Sequence, residues 1–173
     1  MILQGTQASA AVVLRTMRVD DLGAVLRIQR EAYGDAYQES AEVLGRKLGL
    51  APGACWLAES GGEALGYVFA HPWAADAPPL HERIEDLPAQ ADHGFLHDLA
   101  VSPRARGLGV GRGLFGKVRC WSEQAGLGAL TLVALADAAA YWRGLGFTAV
   151  PLALPTGYGA GAQFMRCGLE AGA

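Results

Sequence analysis

Residues 95–121 read FLHDLAVSPRARGLGVGRGLFGKVRCW, and this stretch predicts a strand, a glycine-rich loop and a helix in direct succession. The apolar run from Phe95 to Val101 is typical of a strand, which Pro103 would end. Beyond the glycines, apolar side chains recur at helical spacing, at Val110, Leu114, Val118 and Trp121. The stretch therefore places a glycine loop where the end of a strand meets the start of a helix.

The loop from Arg106 to Arg112 predicts an anion-binding site. Its alternate glycines let the backbone curl closely and turn several N–H groups outward, and the first helical turn adds unpaired N–H groups and the positive end of the helix dipole. Five basic residues and no acid stand in this part of the chain, namely Arg104, Arg106, Arg112, Lys117 and Arg119. A pyrophosphate is the ligand that suits these groups.

Two other phosphate motifs compete with this interpretation. The P-loop pattern GxxxxGK[ST] does not occur in the sequence. The dinucleotide pattern GxGxxG is met by Gly111, Gly113 and Gly116, and Asp137 follows about 20 residues later. It is disfavoured because a proline and two arginines separate the strand from these glycines, and because the upstream half lacks alternating strands and helices. A glycine-rich turn without a ligand is the third interpretation.

Length, composition and charge limit the classes of protein to which this chain can belong. A chain of 173 residues with 51% apolar content predicts a single domain over residues 1–173, with 1–10 as a poorly structured N-terminal extension. A net charge of -3 and a pI near 5.8 argue against a nucleic-acid partner. No run approaches the roughly 18 apolar residues of a membrane span. Three cysteines without CxxC spacing indicate neither zinc nor a disulfide framework, so we expect reduced thiols in the cytoplasm.

Hydrophobic periodicity and turn residues predict the remaining elements. They are a strand at 11–18, a helix from Asp20 or Asp21 to about Gly34, a helix at 40–50, a hairpin of 55–59 and 64–71, a long loop at 72–92 with one helical turn near 80–87, a buried strand at 129–135, a short helix at 138–145, and closing strands at 147–152 and 163–169.

Two motifs resemble the GNAT acetyltransferase superfamily. The stretch FLHDLAVSPRARGLGVGRGLF is similar to its signature, whose [QR]xxGx[GA] pattern is met by Arg106, Gly109 and Gly111. The later segment YWRGLGF, residues 141–147, resembles the family's FYxxxGF block. The resemblance extends over residues 11–169. It implies an α/β fold of the α+β type, with a splayed mixed sheet of about six to seven strands and about four helices.

The resemblance also implies acetyl-coenzyme A as co-substrate, with no metal. Its pantetheine arm would lie in the gap of the sheet like an extra strand, and the Leu99 N–H would polarise the thioester. The positions implied for cofactor binding are Leu99, Ala100, Val101, Arg106, Gly107, Leu108, Gly109, Val110, Gly111 and Arg112. The implied activity is direct acetyl transfer to a primary amine of a small molecule or a protein. The alternative is a non-catalytic module that binds acyl-coenzyme A.

Acetyl transfer to an amine requires a base, because a lysine-like amine with a pKa near 10.4 is almost entirely protonated at neutral pH. His97 is the first candidate, since strand alternation puts it on one face with Phe95, Leu99 and Val101. Many relatives place the base at the position of Phe95, which cannot serve. Asp98 is an alternative if the splay redirects it, as is a water chain. A half-buried structural histidine is the non-functional interpretation of His97.

The acid that protonates the leaving thiolate is also open, because Trp142 occupies the position of the family's usual tyrosine. Tyr141 lies one residue away and is a candidate, with packing in the core as the alternative. For the acceptor, the candidates are Tyr33, His71 and Glu82, from the first helix and the acidic loop. That loop holds five acids and one arginine, a net charge of -4, which would favour a cationic amine. A solvated acidic loop explains the same charges. The sequence permits a homodimer without defining one.

Overall fold

The apolar patterns fold into one mixed sheet flanked by helices. A computed structural model describes residues 10–170, and within them it contains seven strands and four α-helices. In chain order these are β1 (Val13–Thr16), α1 (Leu22–Tyr33), α2 (Ala41–Leu50), β2 (Trp56–Ser60), β3 (Glu63–Trp73), β4 (His93–Val101), α3 (Val110–Gln124), β5 (Ala129–Ala134), α4 (Ala139–Gly144), β6 (Thr148–Ala149) and β7 (Gln163–Gly168). The predicted fold class is therefore confirmed.

The strand order is β1-β2-β3-β4-β5-β7-β6. Strands β1 to β4 form an antiparallel meander, and β5 pairs antiparallel with β7. Between them, β4 and β5 run parallel and pair only at Gly94 with Leu130 and at Phe95 with Thr131. Beyond Phe95 the two strands diverge, which is the splay that the family resemblance implies.

Helices cover both faces of the sheet. Helix α3 buries Val110, Leu114 and Val118 against one face, as its helical spacing predicts. Gly66 of β3 permits this close packing, because a Cβ there would lie 2.9 Å from Val110 Cγ1. On the opposite face, α1 buries Val25 and Ile28 completely.

The connecting segments differ from the prediction in two places. The predicted helical turn near 80–87 is absent, and only a turn at Leu80–His81 is present. The Arg46 side chain binds the carbonyl groups of Ile84 and Glu85, which holds that part of the loop extended. The strand predicted at 147–152 shrinks to Thr148–Ala149, and an irregular segment leads from it to β7.

The predicted N-terminal extension, 1–10, lies outside the described residues except for Ala10. Within residues 10–170, no helix is long and apolar enough to cross a membrane.

Candidate functional site

The splay between β4 and β5 opens a groove that holds two adjoining cavities. The larger has a volume of about 740 Å³ and the smaller about 330 Å³. They share the lining residues Leu99, Val101, Arg106 and Tyr141. A ligand that enters at the smaller cavity can therefore continue along the β4 backbone into the larger one.

The smaller cavity is formed by the predicted glycine loop. Gly107 and Gly109 have φ angles of +80° and +75°, a conformation that residues with side chains rarely adopt. Helix α3 makes its first internal hydrogen bond from the Gly113 N–H to the Gly109 carbonyl, at 3.0 Å. The N–H groups of 109–112 precede that bond and remain free of helical partners. With Arg106 and Arg112 in the lining and no acid there, the cavity fits a phosphate group.

The structure divides the basic run into residues that face the cavity and residues that do not. Arg104 pairs with Glu63, and Arg119 pairs with Glu123 at 3.0 Å. Lys117 lies 5.0 Å above the Trp56 ring. Only Arg106 and Arg112 line the groove. These two, rather than all five, are the cations available to an anionic ligand.

Most of the positions implied for cofactor binding line the groove. Leu99, Val101, Arg106, Gly107, Gly109, Val110, Gly111 and Arg112 line the smaller cavity, and Ala100 lines the larger one. Leu108 lines neither, because its N–H turns inward to the Ala105 carbonyl while its side chain is 62% exposed. The glycines of the competing GxGxxG pattern all lie inside α3, so they do not form the turn that a dinucleotide fingerprint requires.

A β-bulge at His97 changes which side chains of β4 share a face. Phe69 pairs with Asp98 while its neighbour Ala70 pairs with Leu96, so His97 is the extra residue. The prediction that His97 shares a face with Leu99 and Val101 is therefore wrong, although Phe95 does lie beside it. The bulge puts Asp98 on the His97 face and sends Leu99 and Val101 to the opposite face, against the α3 core.

His97 belongs to a buried ionic triad with Glu39 and Lys47. The His97 Nε2 atom lies 2.5 Å from Glu39 Oε1 and 2.5 Å from Lys47 Nζ, and Lys47 Nζ lies 2.7 Å from Glu39 Oε2. The three side chains are at most 2% exposed. Because Nε2 carries either one proton or one lone pair, it can donate to Glu39 or accept from Lys47, but not both at once. His97 is in the lining of the larger cavity, although its side chain is 0% exposed.

Opposite charges hold the triad together against the cost of burial. Burial would raise the pKa of Glu39, but His97 and Lys47 outweigh it and lower that pKa to about 2. For Lys47, burial lowers the pKa despite the neighbouring Glu39 carboxylate. Glu39 is therefore a fixed anion and a poor proton acceptor at neutral pH.

Asp98 is the acid that the bulge turns toward the groove. It lines the larger cavity, and its Oδ2 atom accepts hydrogen bonds from the Tyr67 hydroxyl at 2.6 Å and from Gln29 Nε2 at 2.8 Å. Both bonds use Oδ2, which leaves Oδ1 for a ligand. Burial raises the pKa of Asp98 above its ordinary value, so it is a stronger base than an exposed carboxylate.

Tyr33, a predicted acceptor residue, lies at the end of α1 and lines the larger cavity. Its hydroxyl donates a hydrogen bond to the Leu99 carbonyl on β4. Burial raises the pKa of Tyr33, and the nearby carboxylates of Asp98 and Asp137 add to the shift. The phenol is therefore held protonated in the lining of the larger cavity, near the acidic side chains.

The two other predicted acceptor residues do not line either cavity. His71 is 1% exposed and stacks between Phe95 and Trp73, with ring centroids at 5.6 Å and 5.2 Å. Burial lowers its pKa to about 3. Glu82 lies exposed on the loop, from which Leu80 alone reaches the cavity. The acidic loop thus contributes an apolar side chain to the site.

Tyr141 and Trp142 take opposite positions. Trp142 is 7% exposed and packs its ring against Phe115 and Phe147, with centroids at 6.3 Å and 5.5 Å. Tyr141 is 46% exposed and lines both cavities, and a Cβ added at Gly111 would lie 2.9 Å from its hydroxyl. The roughly 100° between successive helical residues separates them. Tyr141 therefore faces both cavities, whereas Trp142 packs in the core and borders only the larger cavity.

Sequence reasoning missed Glu39, Lys47 and Tyr158. The first two meet His97 only through the tertiary fold, and nothing in their local sequence indicates it. The alternating glycines of GYGAG, residues 157–161, could have drawn attention to Tyr158. Among residues 10–170, no group of three or more His, Cys, Asp or Glu side chains is arranged to hold a metal ion.

The sequence was compared with family profiles and with curated proteins. The sequence profile of the acetyltransferase (GNAT) family matches residues 22–147. A search of curated proteins found none that matches.

Solved structures share the fold at low sequence identity. Ard1 from Thermoplasma volcanium superposes with a TM-score of 0.74 at 16% identity, over 92% of this chain and 99% of that one. The ribosomal-protein-S18-alanine N-acetyltransferase from Escherichia coli gives 0.67 at 19% identity, over 94% and 97%. The GphF GNAT-like decarboxylase, in complex with isobutyryl-CoA, gives 0.77 at 16% identity, over 91% and 100%.

Proposed function

Since the chain belongs to the GNAT acetyltransferase family, we propose that it transfers an acetyl group from acetyl-coenzyme A to a primary amine within a ternary complex. The observation that carries the proposal is the continuous groove from the glycine loop, past the free edge of β4, to Asp98. One end of this groove suits a phosphate, and the other presents a carboxylate of raised pKa to an amine.

The chain's own groups suit a coenzyme A molecule. The pyrophosphate would bind the free N–H groups of 109–112 together with Arg106 and Arg112. The β4 backbone at Leu99 and Val101 would pair with the pantetheine arm, because the splay leaves β5 too far away to do so. Acetyl-coenzyme A supplies a thioester, whose carbonyl carbon is open to attack by a neutral amine.

Asp98 is the proposed base. The amine nitrogen bonds to the acetyl carbon, the carbon–sulfur bond breaks, and the amine proton passes to Asp98 directly or through water. The departing thiolate takes up a proton as free coenzyme A, from Tyr141 or from solvent. Help from a positioned base is typically worth about 10²- to 10⁴-fold in rate. The triad behind Asp98 holds β4 in the bulged form that directs this carboxylate into the groove.

A cationic acceptor fits the charges at the far end of the groove. Asp98 and Asp137 both line the larger cavity, and the only arginine in its lining, Arg106, lies at the end shared with the smaller cavity. An ammonium group would be drawn toward the acidic end. It would pass one proton to solvent before the neutral amine attacks, and the second proton, released in the attack, would pass to Asp98.

The second candidate is a domain that binds acyl-coenzyme A without turnover. Two observations favour it: the His97 side chain is fully buried, and Trp142, at the usual acid position, is packed in the core. It predicts binding of the cofactor and no chemistry.

A thiol-release assay with a panel of amines separates the two candidates. Acetyl-coenzyme A is the first donor, and isobutyryl-coenzyme A is the second because the GphF neighbour carries it. Turnover with acetyl-coenzyme A supports the transferase. Calorimetric binding of the donor without thiol release, for every amine, would instead support the binding module.

A further inference from the structure

The segment between β6 and β7 includes 156–162, which read TGYGAGA and are here termed the strap. Its glycines stand at alternate positions, and Gly157, Gly159 and Gly161 have φ angles of +106°, +84° and +78°. Side chains rarely tolerate such angles, so glycine is required for this backbone path. The absence of side chains also lets the strap approach its neighbours closely.

Each of these glycines lies against a different connecting segment. A Cβ at Gly157 would lie 3.7 Å from Leu80, in the connection between β3 and β4. At Gly159 it would lie 2.8 Å from the Tyr37 hydroxyl, between α1 and α2. At Gly161 it would lie 3.0 Å from Ala136, between β5 and α4. The strap therefore joins three loops at one end of the sheet.

Tyr158 fastens the strap. The residues on both sides of it, Gly157 and Gly159, are exposed, but Tyr158 is only 6% exposed. Its hydroxyl donates a 2.7 Å hydrogen bond to the Pro78 carbonyl. Burial raises the pKa of Tyr158, so the hydroxyl keeps the proton that this bond needs. The tyrosine thus turns inward from an otherwise exposed segment.

The strap borders the end of the larger cavity that lies away from the glycine loop. Tyr158, Ala160, Leu80 and Tyr37 line this cavity, and none of them lines the smaller one. Glu39 and Asp98 lie in the same lining. The strap is therefore placed at the acceptor end of the groove.

We propose that the strap closes the acceptor end and restricts the acceptor to a small free amine, with Tyr158 as the specificity-determining residue. This rests on the proposed acetyltransferase function. The cavity of about 740 Å³ must hold both the acyl end of the donor and the acceptor, and volumes of roughly 300–1,000 Å³ accommodate drug-sized ligands. A polypeptide, or a lysine on a folded protein, would have to displace the contacts of Tyr158 and Tyr37.

The test compares phenylethylamine with a short peptide that has a free N-terminus and one lysine. Thiol release from acetyl-coenzyme A gives kcat/KM for both acceptors in the wild type, Tyr158→Ala, Tyr37→Ala and Tyr158→Phe. We expect the wild type to prefer phenylethylamine. Either alanine variant should raise the ratio of peptide to small amine by about tenfold or more, because Tyr158 holds the strap in place and Tyr37 lies against it at Gly159. Tyr37→Ala keeps the test valid if loss of the buried Tyr158 ring prevents folding.

The phenylalanine variant is the matched control, since it keeps the ring and removes the bond to Pro78. It should preserve the preference for the small amine while amide hydrogen exchange across 156–162 becomes faster. Equal use of peptide and small amine by the wild type, or an unchanged ratio in both alanine variants, would overturn the inference. If instead no amine of the wider panel gives thiol release in any variant, the acetyltransferase function itself is refuted, and the inference with it.

Discussion

The bulge at His97 decides which side chain of β4 meets the ligand. Without it, strand alternation would direct Asp98 away from the face that carries Phe95 and His97. With it, His97 is drawn into the triad with Glu39 and Lys47, and Asp98 lines the cavity. The two neighbouring residues thus have different roles: His97 supports the strand, and Asp98 lines the cavity where an amine would bind.

Asp98→Asn should lower kcat by about 10²- to 10⁴-fold, because the amide cannot accept the amine proton. Wild-type turnover should fall as the pH drops through the pKa of Asp98, which burial raises above its ordinary value of 3.8. Steady-state thiol release over a pH series checks both effects, and calorimetry should show unchanged binding of acetyl-coenzyme A. Asp86→Asn, on the exposed loop, is the control and should leave kcat unaltered. Full activity of the Asp98 variant would remove Asp98 from the mechanism.

Lys47→Met should destabilise the fold strongly, because it leaves the Glu39 carboxylate buried without its 2.7 Å partner. Breaking a buried pair by removing one partner costs about 3–5 kcal/mol. Urea denaturation measures the loss. The double variant Lys47→Met with Glu39→Gln removes the unpaired charge and should recover much of the stability. If the single variant is as stable as the wild type, the triad does not hold α2 against β4.

The sequence could predict the groove better than the side chains in it. Arg106, Gly109 and Gly111 act through local backbone and charge, and their pattern is visible within a few residues. The position of Asp98 depends on one extra residue in β4, and no local preference indicates a bulge there. The Lys47–His97 contact joins residues fifty positions apart. Buried polar groups of this kind are fixed by packing and mutual neutralisation rather than by periodicity.

At the scale of elements, the glycine loop and α3 form a unit in which glycines have two different functions. Gly109 caps the helix in a left-handed conformation with φ of +75°, whereas Gly116 lies inside the helix. A Cβ at either position would meet no atom within 4 Å. Any difference between alanine substitutions at the two sites therefore comes from the backbone alone.

Gly109→Ala should weaken coenzyme A binding, since holding alanine in a left-handed conformation costs roughly 1–2 kcal/mol. Such a cost corresponds to about a 5- to 30-fold loss of affinity when the loop relaxes in the free protein. Isothermal calorimetry with coenzyme A measures it. The matched Gly116→Ala variant should bind normally and gain about 1 kcal/mol of helix stability. Equal binding by both variants would show that the loop conformation is not needed for the phosphate.

Periodicity located the helices and long strands to within a few residues, because each has one face fixed by burial. Helix α3 keeps the predicted apolar positions, and Ser40 caps α2 by accepting a hydrogen bond from the Val43 N–H at 3.2 Å. The segments without hydrophobic periodicity were harder to predict. The residues after Ala149 leave the sheet, and the strap takes its path from contacts with three other loops, which a local pattern does not contain.

At the scale of the whole molecule, several ionisable side chains are buried on the face of the sheet that α1 and α2 cover. His71 has a pKa of about 3, lowered from 6.5 mainly by burial, which outweighs the opposing hydrogen bond with the Pro72 carbonyl. Glu39 has a pKa of about 2, below its ordinary 4.5. Asp98 shifts in the opposite direction, so acid relieves the cost of its burial. The first two groups favour the folded state less as the pH falls.

The His71 contribution has a defined sign and window. Above pH 6.5 the imidazole is neutral in both states and has no effect; between 6.5 and about 3 only the unfolded chain takes up the proton. Stability should therefore fall with decreasing pH in that window, by about 1.4 kcal/mol per pH unit for this one group. His71→Phe keeps a ring against Phe95 and Trp73 and should flatten that slope, as measured by urea denaturation at a series of pH values between 7 and 4. His81→Asn, at an exposed turn with φ of +64°, should retain the wild-type slope. Parallel curves for the wild type and His71→Phe would mean that His71 takes up its proton in the folded state as readily as in the unfolded chain.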